Sequence, residues 1–264
     1  MWEVNGDNYY EAMPPSPTVS TIPAGMYSLG QSKRGFYLEK TTLTHDDLLI
    51  IPDSPAVEIL EEIKKFWLLE DEFKKRGFVH KRGMLLHGVP GTGKTATVNH
   101  LLNLVVKQCS GVALIVPSVK GTTVALDLLR KIEPDRPVIV VFEDLDSYLN
   151  DDEEDLLSLL DGQHQCNNVV FLATTNYLNK LPQRIINRPS RFDAIIKVKP
   201  PSDSARRYYL ATKEPSLTEE ELSEWVVQTK DLSLAHLKEL IILNRCYKIP
   251  LDKALARFAK MHLK

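Results

Sequence analysis

The chain has 264 residues, 43% of them apolar and 26% charged, with 33 basic side chains against 35 acidic ones. That length buries one large core with room for a small satellite, and the near balance of charge gives no electrostatic case for binding nucleic acid. No apolar run approaches the roughly 20 residues needed to cross a bilayer, and the start Met1-Trp-Glu-Val-Asn-Gly-Asp7 lacks a leader's basic and apolar regions. Cys109, Cys166 and Cys246 are far apart without C-x-x-C spacing and read as reduced thiols. The expectation is a cytoplasmic protein with no membrane span.

Residues 1 to about 20 contain Met13-Pro-Pro-Ser-Pro17 and little periodic apolar content, which reads as an extended arm. Met26-Tyr-Ser-Leu29 and Phe36-Tyr-Leu38 are β-prone, with Gly30 and Gly35 flanking a turn, and predict a hairpin. Tyr9, Tyr10 and Phe36 read as packing residues, with a contact surface as the alternative. Ser54 as N-cap and Pro55 at the first helical position predict a helix with Val57, Leu60, Ile63 and Trp67 on its inner face. Gly77 stops that helix or its successor.

From about Lys81 to Lys199 short apolar runs alternate with helical segments. The strand candidates are Met84–His87, Ala113–Val116, Val138–Phe142, Val169–Ala173 and Ala194–Val198. Such alternation predicts an α/β fold, a parallel sheet covered on both faces. From Asp203 the pattern is helical: Thr218-Glu-Glu-Glu221 fits a capping box, and further helices are predicted over Leu234–Leu243 and Leu251–Leu263.

Two stretches carry chemistry. Gly88, Val89, Pro90, Gly91, Thr92, Gly93, Lys94 and Thr95 make a complete G-x-x-x-x-G-K-[ST] loop. It stands between an apolar strand and a segment of helical spacing that opens at Ala96. Glycines there let backbone N–H groups turn onto phosphate oxygens, and the helix N-terminus adds partial positive charge. Lys94 reaches the β- and γ-phosphates and the Thr95 hydroxyl ligates Mg²⁺, so the chain is expected to bind ATP. Val138-Ile-Val-Val-Phe142 then ends in Glu143-Asp144-Leu-Asp146. Ligands of open parallel sheets bind beyond the carboxyl ends of the strands, so these acids should face the nucleotide.

These blocks, together with Leu159-Leu-Asp-Gly162, Ala173-Thr-Thr-Asn176 and Asn187-Arg-Pro-Ser-Arg-Phe-Asp193, resemble AAA+ ATPases, and within them the AAA clade. The order Glu-Asp is similar to that of the mitochondrial Rieske-protein translocase branch. The resemblance spans roughly residues 50 to 245. It implies a P-loop three-layer αβα sandwich with a five-stranded parallel sheet over 51–200, an N-terminal arm over 1–50 and a helical lid over 201–264. It also implies a ring, usually a hexamer, with active sites shared between subunits. Carried over by position, Glu143 holds the magnesium and Asp144 polarises water. Asn176 is the polar sensor beside the γ-phosphate, and Arg188 and Arg191 enter the neighbour's site.

Three departures stand out. Asp144 is one methylene shorter than the usual glutamate. Val119-Lys120-Gly121 is the nearest equivalent of the aromatic triplet that grips threaded peptides. No arginine opens the lid helix at Leu234-Ala235-His236. His87 reads as a packed neighbour of the loop, and Asp151–Asp155 as a solvated helix start. No H-E-x-x-H occurs within these residues, which excludes that zinc protease site from them. The leading expectation is an ATP-driven remodeller of a protein partner. A nucleotide-switched scaffold and a nucleic-acid loader are the alternatives.

Overall fold

The computed structural model describes residues 2–4, 10–12, 18–33, 35–41, 49, 51–52, 54–149, 153–161, 167–188 and 190–261. In chain order the elements are strands β1 (Trp2–Val4), β2 (Tyr10–Ala12), β3 (Gly25–Ser32) and β4 (Gly35–Thr41), then helices α1 (Ala56–Leu68) and α2 (Glu70–Lys75). The central block follows as β5 (Lys81–His87), α3 (Lys94–Cys109), β6 (Val112–Ile115), α4 (Val119–Ile132), β7 (Val138–Phe142) and α5 (Glu153–Asp161). It closes with β8 (Val169–Thr175), α6 (Gln183–Ile186) and β9 (Ala194–Lys197). Helices α7 (Asp203–Lys213), α8 (Glu219–Gln228), α9 (Leu234–Ile241) and α10 (Leu251–Met261) complete the order.

One sheet of seven strands runs in the order β4-β3-β6-β7-β8-β5-β9. The five strands predicted from apolar runs all run parallel in it, and every predicted run overlaps an observed strand. Two further strands come from the hairpin: β3 lies parallel to β6 and carries β4 antiparallel on its outer side. The hairpin is therefore part of the sheet, with its turn at Ser32–Gly35 and Gly30 inside β3. Buried Glu133 anchors its base by accepting the Ile22 N–H at 2.7 Å, while Arg136 donates to the Ile22 carbonyl at 3.2 Å. Near the N-terminus, where an extended arm is predicted, β1 and β2 pair as a separate antiparallel ribbon. Tyr9, the proline-rich stretch 13–17, Asp151, Asp152 and Cys166 lie outside the described residues.

The strands separate two cores by strict alternation. Val138, Val140 and Phe142 of β7, and Val169, Phe171 and Ala173 of β8, pack with α4, α5 and α6. Ile139, Val141, Val170 and Leu172 point the other way, against α1 and α3. Side chains of a strand alternate faces, so a sheet buried on both sides reads as an unbroken apolar run. Helix α1 starts at Ala56, whose N–H donates to the Ser54 hydroxyl at 3.3 Å. Its buried face is Ala56, Ile59, Leu60, Ile63 and Phe66, while Val57 faces outward at 53% exposure. Of the predicted residues Leu60 and Ile63 are buried and Trp67 packs partly against the core, whereas Val57 gives way to Ile59, which holds the i+4 spacing to Ile63.

Helices α7 to α10 form a third core of their own, with Tyr209, Leu222, Trp225, Leu237 and Phe258 buried. The capping box at Thr218 and Glu221 forms as expected, with bonds of 3.2 and 2.9 Å. Ile51, from the linker before α1, is buried in this helical core and not in the sheet. Among the described residues no helix is long and apolar enough to cross a membrane.

Strand β5 lies against the segment leading into β9 with no space between them. A Cβ on Gly83 would sit 1.9 Å from the Arg191 carbonyl oxygen, and Gly83 exchanges bonds with Asp193 through both its N–H and its C=O. Gly83→Ala should therefore lower the unfolding free energy by about 2–3 kcal/mol, read as a lower urea midpoint at unchanged slope.

Candidate active site

Strand β5 ends at His87, and the next residues turn the chain into α3. Gly91 and Gly93 take φ of 78° and 97°, in the left-handed region, where glycine meets no Cβ penalty. Between them Thr92 is buried, and its hydroxyl donates to the Val89 carbonyl at 3.0 Å, which braces the loop from within. Helix α3 starts immediately afterwards, with Gly93 as its N-cap residue. Its first turn offers unpaired N–H groups and the positive end of the helix dipole to an anion.

Lys94 is 6% exposed, and its ammonium donates to the carbonyls of Gly88 at 2.8 Å and Val89 at 3.0 Å. Burial pushes its pKa down, while the Asp144 and Asp146 carboxylates hold it up. A charged phosphate oxygen is a stronger acceptor than either carbonyl, so the ammonium is placed to exchange one for the other. A cavity of about 360 Å³ opens beside this loop, with Pro90, Gly91, Thr92, Gly93, Lys94, Thr95 and Ala96 in its wall together with Asp144 and Asn176. Gly88, Val89 and Glu143 lie outside that wall.

The acids after β7 diverge. The Thr95 hydroxyl donates to Glu143 at 3.3 Å, whereas Asn176 donates to Asp144 at 3.0 Å. Asp144 has φ of 50°, unusual for a residue with a side chain. Its N–H is fixed by the Thr174 hydroxyl at 3.0 Å. The Thr175 hydroxyl donates to Asp146 at 2.7 Å. Three bonds thus tie the carboxyl ends of β7 and β8 together. Among the described residues no cluster of three His, Cys, Asp or Glu side chains could hold a metal. The Thr95 hydroxyl and the Glu143 carboxylate are adjacent oxygen ligands, and Mg²⁺ commonly takes one or two such groups with the phosphates completing its shell. The residues therefore fit the ion.

Arg188 and Arg191 are not in this cavity. The structure treats them differently, although they are expected to act as a pair. Arg188 is 59% exposed along its side chain, touching Asp161 at 3.2 Å. Arg191 is 5% exposed and grips both oxygens of Asp161 at 2.7 Å, with its third arm on the Arg184 carbonyl. That fork holds the Asp161 carboxyl below its ordinary value, with burial opposing, and raises Arg191. A buried bidentate clamp fixes Arg191 within its own chain, whereas Arg188 holds Asp161 by a single bond from an exposed position.

Residues 84–200 match the family described as "ATPase family associated with various cellular activities (AAA)". The chain belongs to the AAA+ ATPase superfamily. It is 29% identical over 191 residues to proteasome-activating nucleotidase 2 of Haloferax volcanii, covering 66% of this chain and 46% of that one. It is 30% identical over 239 residues to the ATP-dependent zinc metalloprotease FtsH 2 of Salinibacter ruber, covering 82% and 35%. The Saccharomyces cerevisiae ATPase family gene 2 protein is 32% identical over 150 residues, covering 51% and 19%. The chain spans less than half the length of each of these relatives.

The motifs do not announce the far wall of this AAA+ cavity. Leu49, Ile51 and Pro55 of the linker, Val198 after β9, and Tyr209 and Leu234 of the C-terminal helices make it apolar, as ligand cavities commonly are. The apolar character of Ile51 was visible, but its partners lie far along the chain.

His87 and His100 flank the AAA+ phosphate loop. Burial depresses the pKa of each below 6.5, and Lys197 and Lys94 push His87 further down. Among the described residues His100 Nε2 is buried without a hydrogen-bond partner. Because the folded values are depressed, the unfolded chain takes up protons first. Stability is therefore full above about pH 6.5 and falls as pH drops towards the folded values. Melting at about pH 5.5 and about pH 7.5 should differ less in a His87→Asn/His100→Asn double variant than in the parent.

Proposed function

We propose that this chain hydrolyses ATP with Mg²⁺ as a ring oligomer, with a hexamer as the expected closure, and uses that energy to act on a protein partner. The observation that carries the reading is the convergence of Lys94, Thr95, Asp144 and Asn176 on one cavity, with an outward-facing Arg188 on a different face. Thr95 and Glu143 would hold Mg²⁺, which supplies charge neutralisation on the phosphates. Lys94 binds the phosphate chain. Asp144 accepts a proton from the attacking water while Asn176 orients both. The side chain of Asp144 is one methylene short, and its left-handed backbone turns it onto Asn176. Charge on the γ-phosphate is met by Arg188 of the next subunit, braced from behind by the Arg191–Asp161 clamp.

Two of the relatives are named for protein handling, one as proteasome-activating and one as a metalloprotease, which supports a protein as the partner. Threading is not favoured. Ser118 caps α4 with a bond to Gly121 N–H at 3.1 Å, so the helix begins at once and buries Val119 completely. Lys120 pairs with Asp155 at 3.5 Å. The Val119-Lys120-Gly121 triplet therefore projects no ring and little apolar surface. The same observation favours a second reading, a scaffold whose assembly follows ATP with slow turnover.

Asp144→Asn should bind ATP at close to parental affinity and release phosphate at least about a hundredfold more slowly. Undiminished release would transfer the role to Glu143. Arg188→Ala subunits mixed into the parent should depress activity more steeply than their fraction, and a linear decline would count against shared sites. A well-formed ring with negligible turnover would select the scaffold.

A further inference from the structure

We propose that Lys81 is a positioning residue for Arg188: its ammonium pins the end of α5 and the turn Arg188–Arg191 to the first residue of β5, and so sets where Arg188 meets the nucleotide of the next subunit. The proposal rests on the shared-site reading and adds to it a residue outside every motif.

Lys81 is partly buried at the start of β5 and donates to two main-chain carbonyls. One is that of Ser190, at 2.7 Å, and the other is that of Leu160 in the last turn of α5. Carbonyls in the last turn of a helix lack partners within it and carry partial negative charge, so a cation is a fitting cap. The Arg191 N–H closes the turn on the Arg188 carbonyl at 3.3 Å, and Ser190 inside it takes φ of 83°. A residue with a side chain keeps such an angle where surrounding bonds hold it, and Lys81 supplies one. Two residues on, Gly83 exchanges bonds with Asp193, so β5 grips the segment 190–193 at two points.

The charges of this region belong to the same cluster. Burial draws the Lys81 pKa down, the Asp193 and Asp161 carboxylates hold it up, and Arg191 and Arg188 oppose them. Asp161, which accepts from both arginines, directly follows Leu160. The Arg191 fork fixes Asp161 against the turn, and Lys81 fixes both to the sheet. Arg188, exposed and held by one bond, takes its direction from that base. A displacement of about 1 Å in a charge-stabilising group can cost up to about a hundredfold in rate. The phosphate loop of the same chain begins beyond the far end of β5, roughly 20 Å from Lys81, so the site affected is the neighbour's.

The test compares parent, Lys81→Met and Lys81→Arg, alone and in mixed assemblies. Lys81→Met should lower kcat for ATP about tenfold and leave ATP affinity unchanged, and Lys81→Arg should restore most of the loss. Mixed in equal amounts with Asp144→Asn subunits, Lys81→Met should hydrolyse ATP several-fold faster than the mean of the two alone, because a sound cavity then meets a sound Arg188. Arg188→Ala mixed with Asp144→Asn is the control. Parental turnover in Lys81→Met overturns the proposal, as does an equal loss of ATP affinity, which would mark damage to its own cavity. A Lys81→Met mixture that stays at the mean while the control recovers overturns it too. A control that stays at the mean would overturn the shared-site reading, and the proposal with it.

Discussion

At Gly91 and Gly93 the backbone has no side chains, and two partners need the same few atoms. Phosphate oxygens must come within hydrogen-bond distance of the loop's N–H groups from one side. From the other, Ser233, Leu234 and Ala235 already press against the glycines at distances a Cβ would violate. The C-terminal helices thus rest on the loop itself. The cavity is the space between two bodies that touch at these glycines, with the sheet beneath, the lid above and Ile51 reaching between them.

The rest of the site follows from where a parallel sheet puts its strand ends. β5, β7 and β8 run in one direction, so the glycine loop, the Glu143–Asp144 pair and Asn176 emerge at one edge. Hydrogen bonds then sort near-identical groups into different tasks. Of three neighbouring acids, Glu143 faces Thr95, Asp144 faces Asn176, and Asp146 is occupied by Thr175. A bidentate clamp likewise separates two arginines that are only three residues apart. Burial, more than residue type, decides which charge is structural and which is available.

Much of this was legible in the chain. Fully buried strands read as unbroken apolar runs, and a loop that must approach phosphate closely reads as glycines at fixed spacing. Features needing distant partners were less legible. The β3–β4 hairpin was visible locally, but its pairing with β6 depends on Glu133 and Arg136, more than a hundred residues away. Arg188 and Arg191 look alike in sequence, since nothing local reveals that Asp161 grips Arg191 with two bonds and Arg188 with one. The wall formed by Ile51, Val198, Tyr209 and Leu234 carries no motif, because an apolar slot needs only apolar residues and many positions could supply them.

Ile51 also sets an order of events during synthesis. It leaves the ribosome before its partners, for the core it joins is built from Tyr209, Leu222, Trp225 and Leu237, roughly 150 or more residues later in the chain. Domains form largely from the N-terminus onward as they are made. The sheet can therefore assemble while the linker carrying Ile51 still lacks its partners. Nucleotide can be enclosed only after the lid helices arrive, so a nascent chain stopped short of them would present a glycine loop with no roof.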